Sequence, residues 1–197
     1  MGKIYCIMGK SSTGKDTIYK RLLEREELGL HKIVPYTTRP IREGEQEGVE
    51  YHFTDVATLE RLRDENRIIE CRAYQTVHGI WYYYMVKDAQ INLQNNDYLI
   101  IGTLESYVMV RDYFGEKQVI PIYIEIDDGE RLTRALHREK MQTEPKYEEM
   151  CRRFLADCED FSEEKLEEAG IKTRFENNDL ENCMLQVITF MTIKRNE

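Results

Sequence analysis

The chain has 197 residues, 41% of them hydrophobic and 33% charged, with a formal net charge of −9. That length supports one domain with a substantial core, with or without inserted subdomains, and the composition is that of a folded chain rather than a disordered one. The acidic balance excludes a general basic field for nucleic acid, but not a small anionic ligand in a local basic pocket.

In chain order, Lys3–Met8 reads as a short buried strand and Lys15–Glu27 as a helix. Between them runs Gly9-Lys10-Ser11-Ser12-Thr13-Gly14-Lys15-Asp16-Thr17. Strand, glycine-bounded loop, lysine and helix is an arrangement that wraps a polyphosphate. Gly9 and Gly14 permit backbone conformations and close approaches that a side chain blocks. The N–H groups of the loop and of the helix N-terminus present partial positive charge to phosphate oxygens. Lys15 adds a full charge near the β- and γ-phosphates. The position after that lysine, usually Ser or Thr, is Asp16. A glycine-rich turn that binds nothing is the alternative, but the loop lies at the first strand–helix junction, where mononucleotide-binding folds carry it.

Further strands are expected at Lys32–Pro35, Tyr98–Ile101, Val119–Ile126 and Lys172–Phe175, and helices at Leu104–Tyr113, Asp128–His137, Lys146–Ala169 and Asp179–Ile193. Unbroken apolarity in Tyr98–Ile101 and Val119–Ile126 suits central strands covered on both faces. The expected fold class is α/β, with three layers around a central parallel sheet. From about Thr37 to Lys87 the pattern changes to short aromatic-rich segments, Val49–Phe53, Arg67–Thr76 and Ile80–Met85, around a helix at Val56–Glu65. This stretch reads as an inserted β-rich subdomain. The polar segment Arg138–Glu148 interrupts a helical pair, as a lid would. Cys6, Cys71, Cys151, Cys158 and Cys183 are scattered without metal-ligand spacing or a disulfide framework. Neither a signal peptide nor a membrane span is expected, and the cytoplasm is the expected compartment.

Tyr36-Thr37-Thr38-Arg39-Pro40-Ile41-Arg42-Glu43-Gly44-Glu45-Gln46-Glu47-Gly48-Val49-Glu50-Tyr51-His52-Phe53 resembles the signature of the guanylate kinase family. The matching positions are Thr37, Thr38, Arg39, Arg42, Gly44, Glu45, Gly48, Tyr51 and Phe53, and the resemblance runs on through the whole chain. It implies a P-loop NTPase fold with a core at about 1–36, 88–137 and 170–197, an NMP-binding subdomain at about 37–87 and a helical lid at about 138–169. It also implies that Arg39, Arg42 and Tyr51 hold the phosphate of an acceptor nucleotide. Guanidinium forks and a phenol suit that task chemically. Glu70 matches the guanine-reading glutamate, whose carboxylate accepts N–H groups that adenine lacks. A salt-bridged strand glutamate is the alternative.

In Gly79-Ile80-Trp81-Tyr82-Tyr83-Tyr84 the family's phosphate-binding tyrosine falls on Tyr83 if one residue is inserted and on Tyr82 if not. Thr103 stands where the family carries a guanine-holding Asp, and Pro35 where it carries a guanine-contacting Ser. By the same resemblance Arg134, Arg138 and Arg153 surround the ATP phosphates, and Asn177 lies near the adenine. Ion pairs with Glu130, Glu139 or Glu149 are the alternative for these arginines. The implied reaction is transfer of the ATP γ-phosphate to GMP or dGMP. Lys15, Arg39, Arg138 and Arg153 would act on the transferring group, with Mg²⁺ held through Asp16 or Thr17. Small nucleotides, rather than nucleic acid or membrane, are the expected partners of a monomer or homodimer. A kinase with another acceptor, or a silent binding module of the same fold, are the competing readings.

Overall fold

A computed structural model describes residues 1–76 and 78–197. The spatial order of its main parallel sheet is β2 (Leu30–Lys32), β7 (Asp97–Ile101), β1 (Ile4–Met8), β8 (Val119–Glu125) and β9 (Arg174–Glu176). Alternation along β1 explains the layers. Ile4, Cys6 and Met8 face Leu104, Tyr107 and Val110 of α3 (Leu104–Phe114), and Leu166 of α6 (Glu163–Glu168). Tyr5 and Ile7 face Ile18 and Leu22 of α1 (Lys15–Leu23), and Met184 and Val187 of α7 (Leu180–Asn196). Every β1 residue is buried, each large aliphatic side chain contributing roughly 1.5–3 kcal/mol.

A second sheet has the order β4 (His52–Phe53), β3 (Tyr36–Thr37), β6 (Gly79–Val86) and β5 (Ile68–Thr76). Its outer face is covered by α2 (Val56–Asp64), whose Leu59 and Leu62 pack on Tyr84 and Val86. Asp55 caps α2 by accepting the Thr58 N–H at 2.8 Å. The expected β-rich segment is therefore present, but its Val49–Phe53 strand shrinks to two residues.

Other boundaries also differ from expectation. The strand expected at Lys32–Pro35 ends at Lys32, where the chain leaves the main sheet. Val34 instead donates its N–H to the Gln90 side chain, and Pro35 has no N–H to continue a ladder. The helix expected at Lys146–Ala169 is two helices, α5 (Tyr147–Asp160) and α6. Phe161 turns into the core between them and stacks on Tyr123, while Ser162 caps α6 through the Lys165 N–H. Helix α4 (Asp128–Lys140) runs past its expected end at His137 and packs against α5.

Candidate active site

The glycine loop leaves β1 at the carboxyl edge of the parallel sheet, between its neighbours β7 and β8, and opens directly into α1. Gly9 and Gly14 are required there. A Cβ on Gly9 would lie 2.2 Å from the Ile124 carbonyl oxygen, and one on Gly14 2.3 Å from Asn177 Nδ2, with φ at +87°. Asn177 is buried and donates that Nδ2 to the Thr13 carbonyl at 2.7 Å, so it holds the loop from behind. Thr13 Oγ1 closes the loop internally on the Lys10 carbonyl at 3.0 Å. Ser12 sits at φ 67°, and its Oγ is buried without a hydrogen-bond partner among the described residues. Lys15 Nζ reaches only the Lys10 carbonyl at 3.5 Å and the Asp16 carboxylate at 3.7 Å. Asp16 and Lys15 line a broad cleft of about 1400 Å³, whereas the exposed Thr17, one step round the helix, does not.

The far wall of that cleft is the β5–β6 hairpin. An irregularity between Ile68 and Glu70 sets the register Glu70↔Met85, Arg72↔Tyr83 and Tyr74↔Trp81. With a side-chain period of two, these six residues share one face, and all six line the cleft. Tyr82 belongs to the opposite face and packs toward α2. Of the two candidate tyrosines, the hairpin brings Tyr83 to the cleft and not Tyr82. Thr37 and Thr38 fasten this hairpin by donating to and accepting from the Tyr82 backbone, at 2.9 and 3.0 Å.

Glu70 is 3% exposed, and Ser106 and Arg72 surround its carboxylate. Burial pushes the Glu70 carboxyl up, against the opposing charge of the Arg72 guanidinium. Thr103 lines the cleft, with its Oγ1 already accepting the Ser106 N–H at 3.2 Å as the α3 cap. Pro35 also lines the cleft and offers no side-chain donor.

Arg39 is only 4% exposed and lies behind Tyr51 and Phe53, 4.9 and 5.4 Å from their ring centroids. Tyr51 in turn packs edge-on against Tyr83. Glu45 grips Arg39 with two hydrogen bonds of 2.7 and 2.6 Å, and the Pro40 carbonyl takes a third guanidinium proton at 3.0 Å. Of the five donor protons, the one on Nε and one on Nη2 are not taken by Glu45 or Pro40, and Tyr83 stands beside the guanidinium. Arg42 gives its backbone N–H to Glu45 at 2.8 Å and leaves its side chain exposed.

The Arg39 hydrogen bonds hold the Glu45 carboxyl down at about 2, from an ordinary value of 4.5. A depressed folded-state value stabilises the fold above pH 4.5, and that stabilisation disappears as pH falls through about 2. Glu45→Gln should therefore lower Tm at pH 7, with the deficit shrinking steadily from pH 4.5 to 2. A Tm deficit that stayed constant over that range would contradict the clamp.

The arginines of the candidate lid are dispersed. Arg134 Nη2 donates to the Asn177 carbonyl at 3.2 Å, and Arg153 pairs with Glu149 at 2.7 Å, as does Arg152. Arg138 and Arg153 both line a small pocket of about 120 Å³ beside Ser11 and Ser12. The ion-pair alternative thus describes Arg153 in this conformation, while Arg138 faces the loop.

Three polar residues at this site carried no recognisable signal in the sequence. Asp157 of α5 accepts the Ser11 N–H at 2.6 Å, and fully buried Arg131 of α4 bridges Asp157 and the Ser11 carbonyl, both at 3.3 Å. They lie 26 residues apart on separate helices, so only their packing brings them together. Arg72 alternates with Glu70 along β5, but its facing side depends on the hairpin register.

A glycine loop ending in a lysine, set at the carboxyl edge of a parallel sheet and opening into a helix, defines the P-loop class of α/β proteins. The chain belongs to the guanylate kinase family, because the family model described as Guanylate kinase matches residues 1–193. Similar curated proteins carry the same name. One from Fusobacterium nucleatum is 31% identical over 121 residues, covering 61% of this chain and 63% of that protein. One from Chromohalobacter salexigens is 42% identical over 79 residues, covering 40% of this chain and 36% of that protein. These matches thus span less than two thirds of either relative's length. The crystal structure of guanylate kinase from Anaplasma phagocytophilum has the same fold, with a TM-score of 0.68 and 20% identity over 100% of this chain and 87% of that one.

Proposed function

We propose that the protein transfers the γ-phosphate of ATP to GMP or dGMP, giving ADP and the guanine nucleoside diphosphate. One observation carries this reading: a single cleft has Lys15 and Asp16 on one wall and Tyr51, Glu70 and Tyr83 on the other. A donor on the loop and an acceptor on the hairpin then meet between the walls. Family membership and relatives named guanylate kinase support it.

Phosphoryl transfer requires in-line positioning and charge neutralisation more than a base. Lys15 and the amides from Lys10 to Asp16 hold the donor phosphates, with Ser12 Oγ as a hydroxyl still able to donate. Arg39, Arg42, Tyr51 and Tyr83 hold the acceptor phosphate, while Glu70 and Thr103 read its base. Residues 37–87 form the acceptor subdomain and 138–169 the lid, on a core of 1–36, 88–137 and 170–197. Closing the lid carries Arg138 and Arg153 onto the transferring group beside Arg134, excludes water and releases Ser11 N–H from Asp157. Asn177 serves the donor side by fixing the loop.

Mg²⁺ fits this donor set. No group of three or more His, Cys, Asp or Glu among the described residues is arranged to hold a metal by itself. Mg²⁺ characteristically takes one or two carboxylates and completes its shell with phosphate and water, and Asp16 supplies a cleft-facing carboxylate. When bound, the ion neutralises phosphate charge. Asp16→Asn should raise the Mg²⁺ concentration giving half-maximal rate by about tenfold. An unchanged Mg²⁺ requirement would remove Asp16 from this role and leave Thr17.

The deciding experiment for the reaction couples ADP formation to a panel of GMP, dGMP, AMP, CMP, UMP, dTMP and ribose bisphosphate. Guanine nucleotides should have the highest kcat/KM. A preference for another acceptor would overturn the assignment, and no ADP with any acceptor would favour a silent binding module.

A further inference from the structure

Glu70 is not a lone carboxylate on the cleft wall. Arg72, two residues along β5 and on the same face, donates Nε to Oε2 at 3.0 Å and Nη2 to Oε1 at 3.2 Å. The pair is well enclosed, with side-chain exposures of 1% for Glu70 and 15% for Arg72. Arg72 Nη1 lies 3.5 Å from the Tyr74 hydroxyl, so the guanidinium is held along its length by the hairpin. Both residues line the cleft beside Tyr83, Met85 and Ser106.

This pairing changes what the wall can recognise. A carboxylate alone offers only acceptors, whereas a guanidinium with protons to spare offers donors beside them. Two of the five Arg72 protons are used on Glu70. A third points to the Tyr74 hydroxyl, and the remaining two, one on Nη1 and one on Nη2, are left for an oxygen next to the group that Glu70 accepts. Pro35 and Thr103 do not duplicate this function. Pro35 has no side-chain donor, and Thr103 Oγ1, held as the α3 cap, keeps a single uncharged hydroxyl proton.

We propose that Arg72 is a specificity-determining residue of the acceptor site, donating to the carbonyl oxygen of a base whose neighbouring ring N–H is accepted by Glu70. This rests on the reading of the cleft as a nucleoside monophosphate site. The pattern suits guanine, in which O6 adjoins N1–H. It disfavours adenine, which would set an amino group against the guanidinium and a ring lone pair against the carboxylate. Because Arg72 is bonded to Glu70 through both Nε and Nη2, the donor and acceptor cannot exchange places freely.

The test is steady-state kinetics of the full-length protein, wild type, Arg72→Met and Glu70→Gln/Arg72→Met, with GMP, IMP and AMP. Loss of a charge-assisted hydrogen bond should lower kcat/KM for GMP about 10- to 100-fold, mainly through KM. IMP, which shares O6 and N1–H, should fall by the same factor. AMP should change by less than about twofold and the KM for ATP should hold, so the GMP to AMP ratio collapses. The double variant removes both charges and avoids a buried unpaired carboxylate, which separates lost recognition from lost folding. It should regain stability but not selectivity.

Equal loss with all three acceptors, or an unchanged GMP to AMP ratio in Arg72→Met, would assign Arg72 a structural role and overturn the proposal, while the GMP kinase reading stood. A wild-type protein that phosphorylates none of the three would overturn both.

Discussion

Lys15→Ala should lower kcat by about 10²–10³-fold, the scale expected when one preorganised donor to a developing charge is removed. The site geometry makes this a clean experiment. Lys15 Nζ makes only long contacts within the protein, 3.5 Å to the Lys10 carbonyl and 3.7 Å to Asp16. Removing it should change stability by no more than about 0.5 kcal/mol, as for other replacements without a specific packed role. The loss should therefore appear in turnover with Tm almost unchanged. Lys15→Arg should recover little, because a planar fork cannot occupy the position of a compact ammonium. A decrease smaller than about threefold would show that the loop lysine does not act on the transferring phosphate.

Gly14→Ala should destabilise the protein by about 2–5 kcal/mol and impair ATP binding with it. Two costs combine. A non-glycine residue at φ +87° costs roughly 1–2 kcal/mol. The new Cβ would also meet Asn177 Nδ2 at 2.3 Å, so the buried side chain must withdraw from the Thr13 carbonyl. Leaving that carbonyl unsatisfied costs about a further 1–3 kcal/mol. For a chain of this size the sum corresponds to a fall in Tm of roughly 4–20 °C, measurable by thermal denaturation. The mechanism can be isolated by a double-mutant cycle. Gly14→Ala in an Asn177→Ala background meets no Nδ2, so the two changes should cost less together than the sum of each alone. Strict additivity would mean that the clash with Asn177 is not the cause.

The glycine loop and the Arg39–Phe53 segment differ in how visible they were in the linear chain. Gly9, Gly14 and Lys15 are local features, separated by fixed short spacings and flanked by an apolar strand and a helix. Their arrangement follows from backbone sterics within one strand–turn–helix unit. The same holds for the caps Asp55 and Asp179, each three residues before the N–H that it accepts. The Arg39–Phe53 segment was legible as a pattern, but not the depth of its arginine. Arg39 is enclosed by Glu45, Tyr51 and Phe53, and that enclosure depends on β3 pairing with both β4 and β6.

The α/β class, the glycine loop between strand and helix, and the aromatic-rich segment were legible in the linear chain, because short-range sterics and apolar periodicity act through neighbours, while the family resemblance rested on motif residues. Tertiary structure decided which side of the second sheet faces the cleft. A one-residue change of register reverses every side chain in a strand, so Tyr82 against Tyr83 could be resolved only by the pairing of β5 with β6. Helix packing likewise joined Arg131 and Asp157 to Ser11. Such contacts depend on the relative placement of separate elements, and no local spacing encodes it.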